Sequence, residues 1–390
     1  MQRTLNSIGN SLSKIKILLI LRILWTAGAQ KIAINEYRWL KKLGYEPKLL
    51  FLREHKTTGY ENLLWNVNYR IVRTEGVGLL TAMYELLTQL FAKGRGPEST
   101  VDLDLIRKIP QIAKEEEADF LICHDQFAGL GGYYTKQKLK IPYSVFIHER
   151  LSNYSVPLLG KLWENYERKI LLNAHKIFAV THKVAKSVKE KYGIDAEVNY
   201  PGMDEVGFTP YSNKENTLIS VAFWDFGRKP EVYVDLMKRI EGYKLLLVGN
   251  WRIKSAKEFV IKKIIEKGLK DEVVLIEGIP EGELIRLYQK SKFVVRFGFD
   301  EYGPAMAVVE AMQNTVPVIA NSELGGSEII KEGNVGLVVN SIDVEKIMSF
   351  LRKVDNQQEY SKLQENIRRL RNKYSWENHA RKLIQNLDFI

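Results

Sequence analysis

Short apolar runs recur along the chain, and between them lie stretches whose apolar positions return every three to four residues. In the first half the runs are Ile15 to Leu21, Pro47 to Leu52, Asp119 to Cys123, Pro142 to Ile147, Lys176 to Val180 and Ala196 to Tyr200. Each is short and nearly continuous, as expected of a strand covered on both faces of a parallel sheet. The intervening helices are predicted from about residue 31 to Leu43, with Ile32, Ala33, Tyr37 and Leu40 on one face, then over 129–139, 156–172 and 183–192. Glu61 to Val72 and Gly78 to Phe91, rich in Leu, Trp and Tyr, also predict helices. The rhythm breaks from Pro201 to Asn213 and restarts at Leu218, with strands at 218–223, 243–248, 273–276, 293–297, 317–320 and 335–339. Helices at 256–267, 281–290, 326–331 and 342–354 separate them. Strand-helix alternation of this kind predicts an α/β fold of two Rossmann-like, doubly wound parallel-sheet domains facing a central cleft. Their expected extents are 15–203 and 217–374, with a flexible arm at 1–14 and a linker at 204–216. A last helix, 375–388, opens at Tyr374-Ser375-Trp376-Glu377 and is expected to pack back on the first domain.

Composition adds a few constraints. At 390 residues the chain suits two domains rather than one core. A lone cysteine, Cys123, excludes an intrachain disulfide and a Cys-based metal cluster, and suits a reducing cytoplasm. The longest apolar run, Ile15 to Trp25, carries Lys16 and Arg22 and is too short to span a bilayer. The net charge of +11 leaves two readings open: a Lys-rich solvated surface, or a basic face for an anionic partner such as phospholipid or nucleotide. The second would place the protein at the cytoplasmic membrane face, held peripherally through its basic first domain. Nucleic acid is not expected as a partner, because Lys and Arg are dispersed and no tract interleaves them with aromatics.

The chemistry gathers in Val294 to Ser327. An apolar run there leads through Asp300 and Glu301 to Gly303-Pro304, which opens a helix carrying Glu310, and the stretch closes on Gly325-Gly326. Free N–H groups and the positive end of a helix dipole favour an anion above such a turn. Acids beside it would repel phosphate and are better read as acceptors for sugar hydroxyls, so the combination points to a nucleotide or nucleotide-sugar. Asp225-Phe226-Gly227-Arg228-Lys229-Pro230, after another strand, offers a basic pair suited to a diphosphate. His124 and His148 end two strands of the first half, where α/β sheets place ligands. Asp102-Leu103-Asp104 has the spacing of a metal-holding acidic pair, but it opens an amphipathic helix, where acids are favoured anyway.

Taken together, these motifs resemble the retaining, nucleotide-sugar-dependent glycosyltransferases of family 4, over about residues 15–388. The resemblance is strongest at Glu310-Ala311-Met312, Pro317 to Ala320, Gly325-Gly326 and Glu328, with Thr26 to Gln30, Tyr200 to Asp204 and Tyr374 to Glu377 also similar. It implies the GT-B fold and transfer from a nucleoside-diphosphate sugar to a glycan, lipid-linked or protein acceptor, without cofactor or metal. It also implies that Glu310 accepts from the ribose and that Lys229 and Arg228 neutralise the diphosphate, which Gly28 faces. The N–H groups around Gly303, Ala305 and Met306 would join them there, with His148 near the transferring sugar. Glu310 matches the second acid of the family's motif, whose first acid should stand eight residues earlier, where this chain has Tyr302; Glu301 is expected to act on the donor sugar, with Asp300 as its substitute. Phe223 stands where the family has an arginine, so Arg228 or Arg296 takes that place, or the donor site is degenerate.

Overall fold

The computed structural model describes residues 14–25, 27–54, 63–73, 78–79, 82–83, 102–151 and 157–385. The expected arm, Thr26 and most of the predicted 78–91 helix lie outside these residues, as do positions 386–388 of the last helix. The chain divides into two compact units, residues 1–146 with 153–177, and residues 147–152 with 178–390.

One parallel sheet has the order β3-β2-β1-β4-β5-β6-β7. Its strands are β1 (Lys16–Leu24), β2 (Glu46–Glu54), β3 (Tyr69–Arg73), β4 (Phe120–His124), β5 (Tyr143–Ile147), β6 (Ile177–Ala179) and β7 (Glu197–Val198). Strand β3 corrects the expected helix over Glu61 to Val72. Asn66, in the left-handed region (φ +59°), turns the chain just before it, and parallel pairing with β2, from Leu49↔Tyr69 to Arg53↔Arg73, decides the conformation of Tyr69–Arg73. The second sheet runs β10-β9-β8-β11-β12-β13. It comprises β8 (Glu215–Val221), β9 (Lys244–Val248), β10 (Val273–Ile276), β11 (Ser291–Arg296), β12 (Val318–Asn321) and β13 (Gly336–Val339).

Alternate residues of the second sheet feed two cores. Leu218, Leu245, Leu247, Phe293 and Val295 pack on one face with Trp224, Tyr233 and Tyr360. Ile219, Val248, Val294, Val318 and Ala320 pack on the other with Val308, Val309 and Met312. This two-sided burial is why these strands read as continuous apolar runs. Sequence periodicity did not predict the helix Gln357–Lys373, whose surface is strongly charged. Its buried stripe of Tyr360, Leu363, Gln364, Ile367, Leu370 and Arg371 follows helical spacing, and the Asn356 side chain caps it by accepting from Glu359 N–H at 3.0 Å. The terminal helix Trp376–Leu383 packs at the 198–204 segment: Trp376 N–H donates to Asp204, and His379 Nδ1 lies 2.7 Å from the Tyr200 carbonyl.

The acidic pair near residue 102 is structural. Asp102 is buried and bonded to Arg53 at 2.9 Å, and Asp104 meets Arg73 at 2.5 Å. Among the described residues no three His, Cys, Asp or Glu side chains converge as metal ligands would, and no helix is long and apolar enough to cross a membrane.

Candidate functional site

In the second sheet β8 lies beside β11, and the strand order reverses between them. The segments leaving these two strands, 222–229 and 297–305, therefore flank the crevice where open α/β sheets bind ligands.

Main-chain contacts hold the segment after β11. Phe297 N–H donates to the Tyr233 hydroxyl at 2.8 Å, and Gly298 and Asn321 exchange two hydrogen bonds of 2.8 Å. Gly325 N–H donates to the Glu301 carbonyl at 2.9 Å. Asp300 (φ +52°) and Ala305 (φ +55°) both adopt a backbone region that costs a non-glycine residue energy. The turn sits directly on the glycine pair: a Cβ at Gly325 would lie 1.8 Å from the Tyr302 carbonyl oxygen, and one at Gly326 2.2 Å from that of Pro304. Gly325→Ala should therefore push the turn off its seat. We expect a stability loss of about 1–3 kcal/mol, read by urea denaturation, together with loss of ligand binding at the site. Wild-type stability in that variant would refute the seating.

Arg296, the last residue of β11, is buried, and its Nη2 lies 3.0 and 2.7 Å from the two carboxylate oxygens of Glu301. Arg228 Nη1 reaches the same carboxylate at 2.5 Å from the segment after β8. Glu301 is thus a buried acid clamped between two guanidiniums. Arg228 is positioned by a 3₁₀ turn in which the Asp225 carboxylate accepts from Arg228 N–H at 3.0 Å. Lys229 follows in the left-handed region (φ +45°), opening the helix Pro230–Met237. Its side chain is exposed, with Nζ 4.5 Å from the centre of the Phe299 ring.

Residues 147–152 belong to the same compact unit as these segments. Glu149 lies beside the turn, a carboxylate oxygen 3.0 Å from the place a Cβ on Gly303 would take. It keeps an open face to solvent but is otherwise surrounded by protein. Burial, then the neighbouring Glu301 charge, pushes its carboxyl up to about 7, against the pull of Arg228. His148 is half-buried, and its carbonyl oxygen lies 3.1 Å from the place a Cβ on Gly303 would take. Arg150 stands 3.6 Å from Asp300 and 5.2 Å from the Tyr302 ring centre. Thr181 Oγ1 donates to the Tyr302 carbonyl at 2.7 Å, and Lys183 Nζ to that of Glu301 at 3.2 Å.

Glu310 lies on the helix Met306–Gln313, whose N-terminus has no side-chain cap, and accepts from the Tyr288 hydroxyl at 2.9 Å. Burial, then the Glu310 charge, holds that phenol well above its ordinary range. Arg228, Arg296 and Glu301 thus come into contact, with Glu149 beside Gly303 and Lys229, Ala305, Met306 and Glu310 on adjoining segments. Gly28 and His124 lie in the other unit. Gly28 opens the helix Gly28–Lys42 after Ala27. His124 Nε2 is 2.8 Å from the Glu36 carboxylate, both side chains being buried, and its ring stacks on Phe146.

Two residues of this region escaped sequence reasoning. Glu149 sits in the His-Glu-Arg triplet that drew attention only for its histidine. Arg252, after β9, places its guanidinium carbon 5.5 Å from the centre of the Phe223 ring and 3.6 Å (Nη1) from Asp225. No local motif marks it.

Comparison with known proteins adds an independent line. Residues 26–205 match a family model described as Glycosyltransferase Family 4, and residues 209–370 match one described as Glycosyl transferases group 1. A probable sucrose-phosphate synthase of Thermosipho melanesiensis is 24% identical over 305 residues, 70% of this chain and 70% of that protein. Among solved structures, Anabaena HepE in complex with UDP-glucose superposes with a TM-score of 0.74 at 15% identity, over 96% of this chain and 100% of that one. A sucrose-phosphate synthase of Thermosynechococcus elongatus gives 0.71 at 16%, over 96% and 99%. At these identities the structural likeness carries the fold alone.

Proposed function

We propose that this chain, a glycosyltransferase of the GT-B type, moves a sugar from a nucleoside-diphosphate donor to a glycan or lipid-linked acceptor with retention of anomeric configuration and without a metal. The observation that carries this reading is the clamped Glu301, held by Arg228 and Arg296 at the switch point with Lys229 on the next residue.

A leaving nucleoside diphosphate needs positive charge and N–H donors fixed before the reaction begins. Lys229 and the N–H groups at the uncapped start of the helix Met306–Gln313 can provide both. Glu310 can accept from ribose hydroxyls, Tyr288 fixing one of its oxygens. Glu301, with Asp300 beside it, can accept from the donor sugar while its two arginines hold the carboxylate in place. Among the described residues no side chain stands out as a covalent nucleophile, so displacement on the front face, with the departing phosphate taking the acceptor proton, fits the groups present. The structures of HepE with UDP and UDP-glucose make a uridine nucleotide the first donor to try.

The test is a thermal-shift and calorimetry panel of UDP-, GDP- and ADP-sugars, followed by hydrolysis and transfer assays on any binder. Binding of one of them with slow hydrolysis is the expected result; binding of none would overturn the reading. A second reading, a nucleotide-sugar binder without transfer, is motivated by Phe223 and by the occupation of both Arg228 and Arg296 by Glu301. Binding without hydrolysis or transfer to any acceptor would favour it.

A further inference from the structure

Three consecutive residues at the start of one helix grip the turn after β11 and its seat. The helix His182–Tyr192 is capped by Thr181, which is fully buried. Its Oγ1 accepts from Val184 N–H at 3.0 Å and, through its own proton, donates to the Tyr302 carbonyl at 2.7 Å. His182 N–H donates at 2.7 Å to the carboxylate of Glu328, on the helix Ser327–Gly333 that leaves the Gly325-Gly326 pair. Lys183 Nζ donates to the Glu301 carbonyl at 3.2 Å and to that of Glu323, and stands 4.5 Å from the centre of the Tyr302 ring. The Glu301 carbonyl therefore has two donors, Lys183 Nζ and Gly325 N–H.

Fixing these two oxygens fixes more than the oxygens. A trans peptide is planar, its C=O and the following N–H pointing opposite ways. Holding the carbonyls of Glu301 and Tyr302 thus sets the peptide planes on both sides of Tyr302, and with them the direction in which the Glu301 side chain leaves the backbone. The turn needs such support. Asp300 and Ala305 both adopt positive φ, and conformations of that kind persist only where the surroundings over-determine them. Arg228 and Arg296 grip Glu301 by its carboxylate, and Thr181 and Lys183 grip the same residue by its backbone end.

We infer that Thr181 and Lys183 are positioning residues of the donor-sugar site: by pinning the carbonyls of Glu301 and Tyr302 they set how the Glu301 carboxylate is presented to the sugar, and so govern the preference for a sugar nucleotide over the bare nucleoside diphosphate. The inference rests on the function proposed above and deepens it. Neither side chain needs to touch the donor. Their loss should be felt at the sugar, which Glu301 serves, and not at the diphosphate, which is left to Lys229 and the start of the helix Met306–Gln313.

The probes are UDP-glucose, GDP-mannose and ADP-glucose, each beside its own nucleoside diphosphate, measured by calorimetry on the full chain. Lys183→Met keeps the aliphatic stem and loses the donor. It should raise the Kd of the sugar nucleotide roughly five- to tenfold while that of the matching diphosphate moves by less than about twofold. Thr181→Val should act in the same direction but also removes the helix cap. Thr181→Ser, which keeps the hydroxyl, is its control and should bind both ligands as the wild type does. Hydrogen exchange over residues 297–305 and at the Gly325 amide needs no ligand, and should be faster in Lys183→Met and Thr181→Val than in the wild type.

A rise confined to the sugar nucleotide supports the inference. Equal rises for the sugar nucleotide and its diphosphate mark a merely structural role and overturn it, as does wild-type affinity for both; either result leaves the function standing. If the wild type binds none of the three sugar nucleotides, the proposed function falls and exchange alone decides the grip: faster exchange upholds it, and unchanged exchange overturns it.

Discussion

Lys229→Ala should lose most of its turnover, about 10²- to 10³-fold in kcat or about 3–4 kcal/mol of transition-state stabilisation, while the protein stays folded. The side chain is exposed, with its Nζ over the Phe299 ring face, so truncation removes little packing. Its left-handed backbone conformation is retained at a small cost, since alanine pays about as much there as lysine. What disappears is a mobile positive charge beside the switch-point turn. Its value lies in the charge that develops on the departing diphosphate, so kcat should fall more than donor affinity does. Steady-state kinetics with the donor found in the binding panel, alongside a urea melt, will separate the two effects. Wild-type turnover in this variant would remove Lys229 from the phosphate role.

Arg296→Met should do the opposite, weakening the fold itself rather than the chemistry alone. The guanidinium is buried and holds both oxygens of a buried carboxylate, and removing one partner of such a pair typically costs about 3–5 kcal/mol. Arg228 keeps its own bond to Glu301 but is partly exposed and cannot replace both contacts. The control is the double variant Arg296→Met with Glu301→Leu, in which no buried charge is stranded, the partly exposed Arg228 turning to solvent. It should recover most of the lost stability, because exchanging a buried ion pair for apolar groups is often neutral, yet remain inactive. If denaturant midpoints of the single and double variants coincide, the stranded charge is not the cause.

Reading from sequence succeeded where physics is local. Strands buried on both faces announce themselves as apolar runs, and the sequence places Arg228 and Glu301 on the segments after β8 and β11, which the fold brings together. The failures are non-local. Tyr69–Arg73 is a strand because β2 offers it a parallel edge, which no window of its own residues displays. Arg296 was weighed as a group reaching for phosphate. In the fold it is spent inside, on an acid only five positions away, because the chain reverses between them. His124 meets Glu36 from a helix far back in sequence, and the loop bearing Glu149 meets Gly303 from still farther. Pairings of this kind depend on which segments the sheet order brings to one edge.

The seat beneath residues 302–304 is made of backbone lying on backbone, with glycines 325 and 326 supplying the absence of side chains. Such a joint holds the direction of the N–H groups without consulting the identity of the residues that carry them. A saturation library at Tyr302 and Ala305, with the glycines kept, would then vary what the loop recognises while its scaffold stays put. That makes the turn a natural place to retrain the protein's choice of sugar.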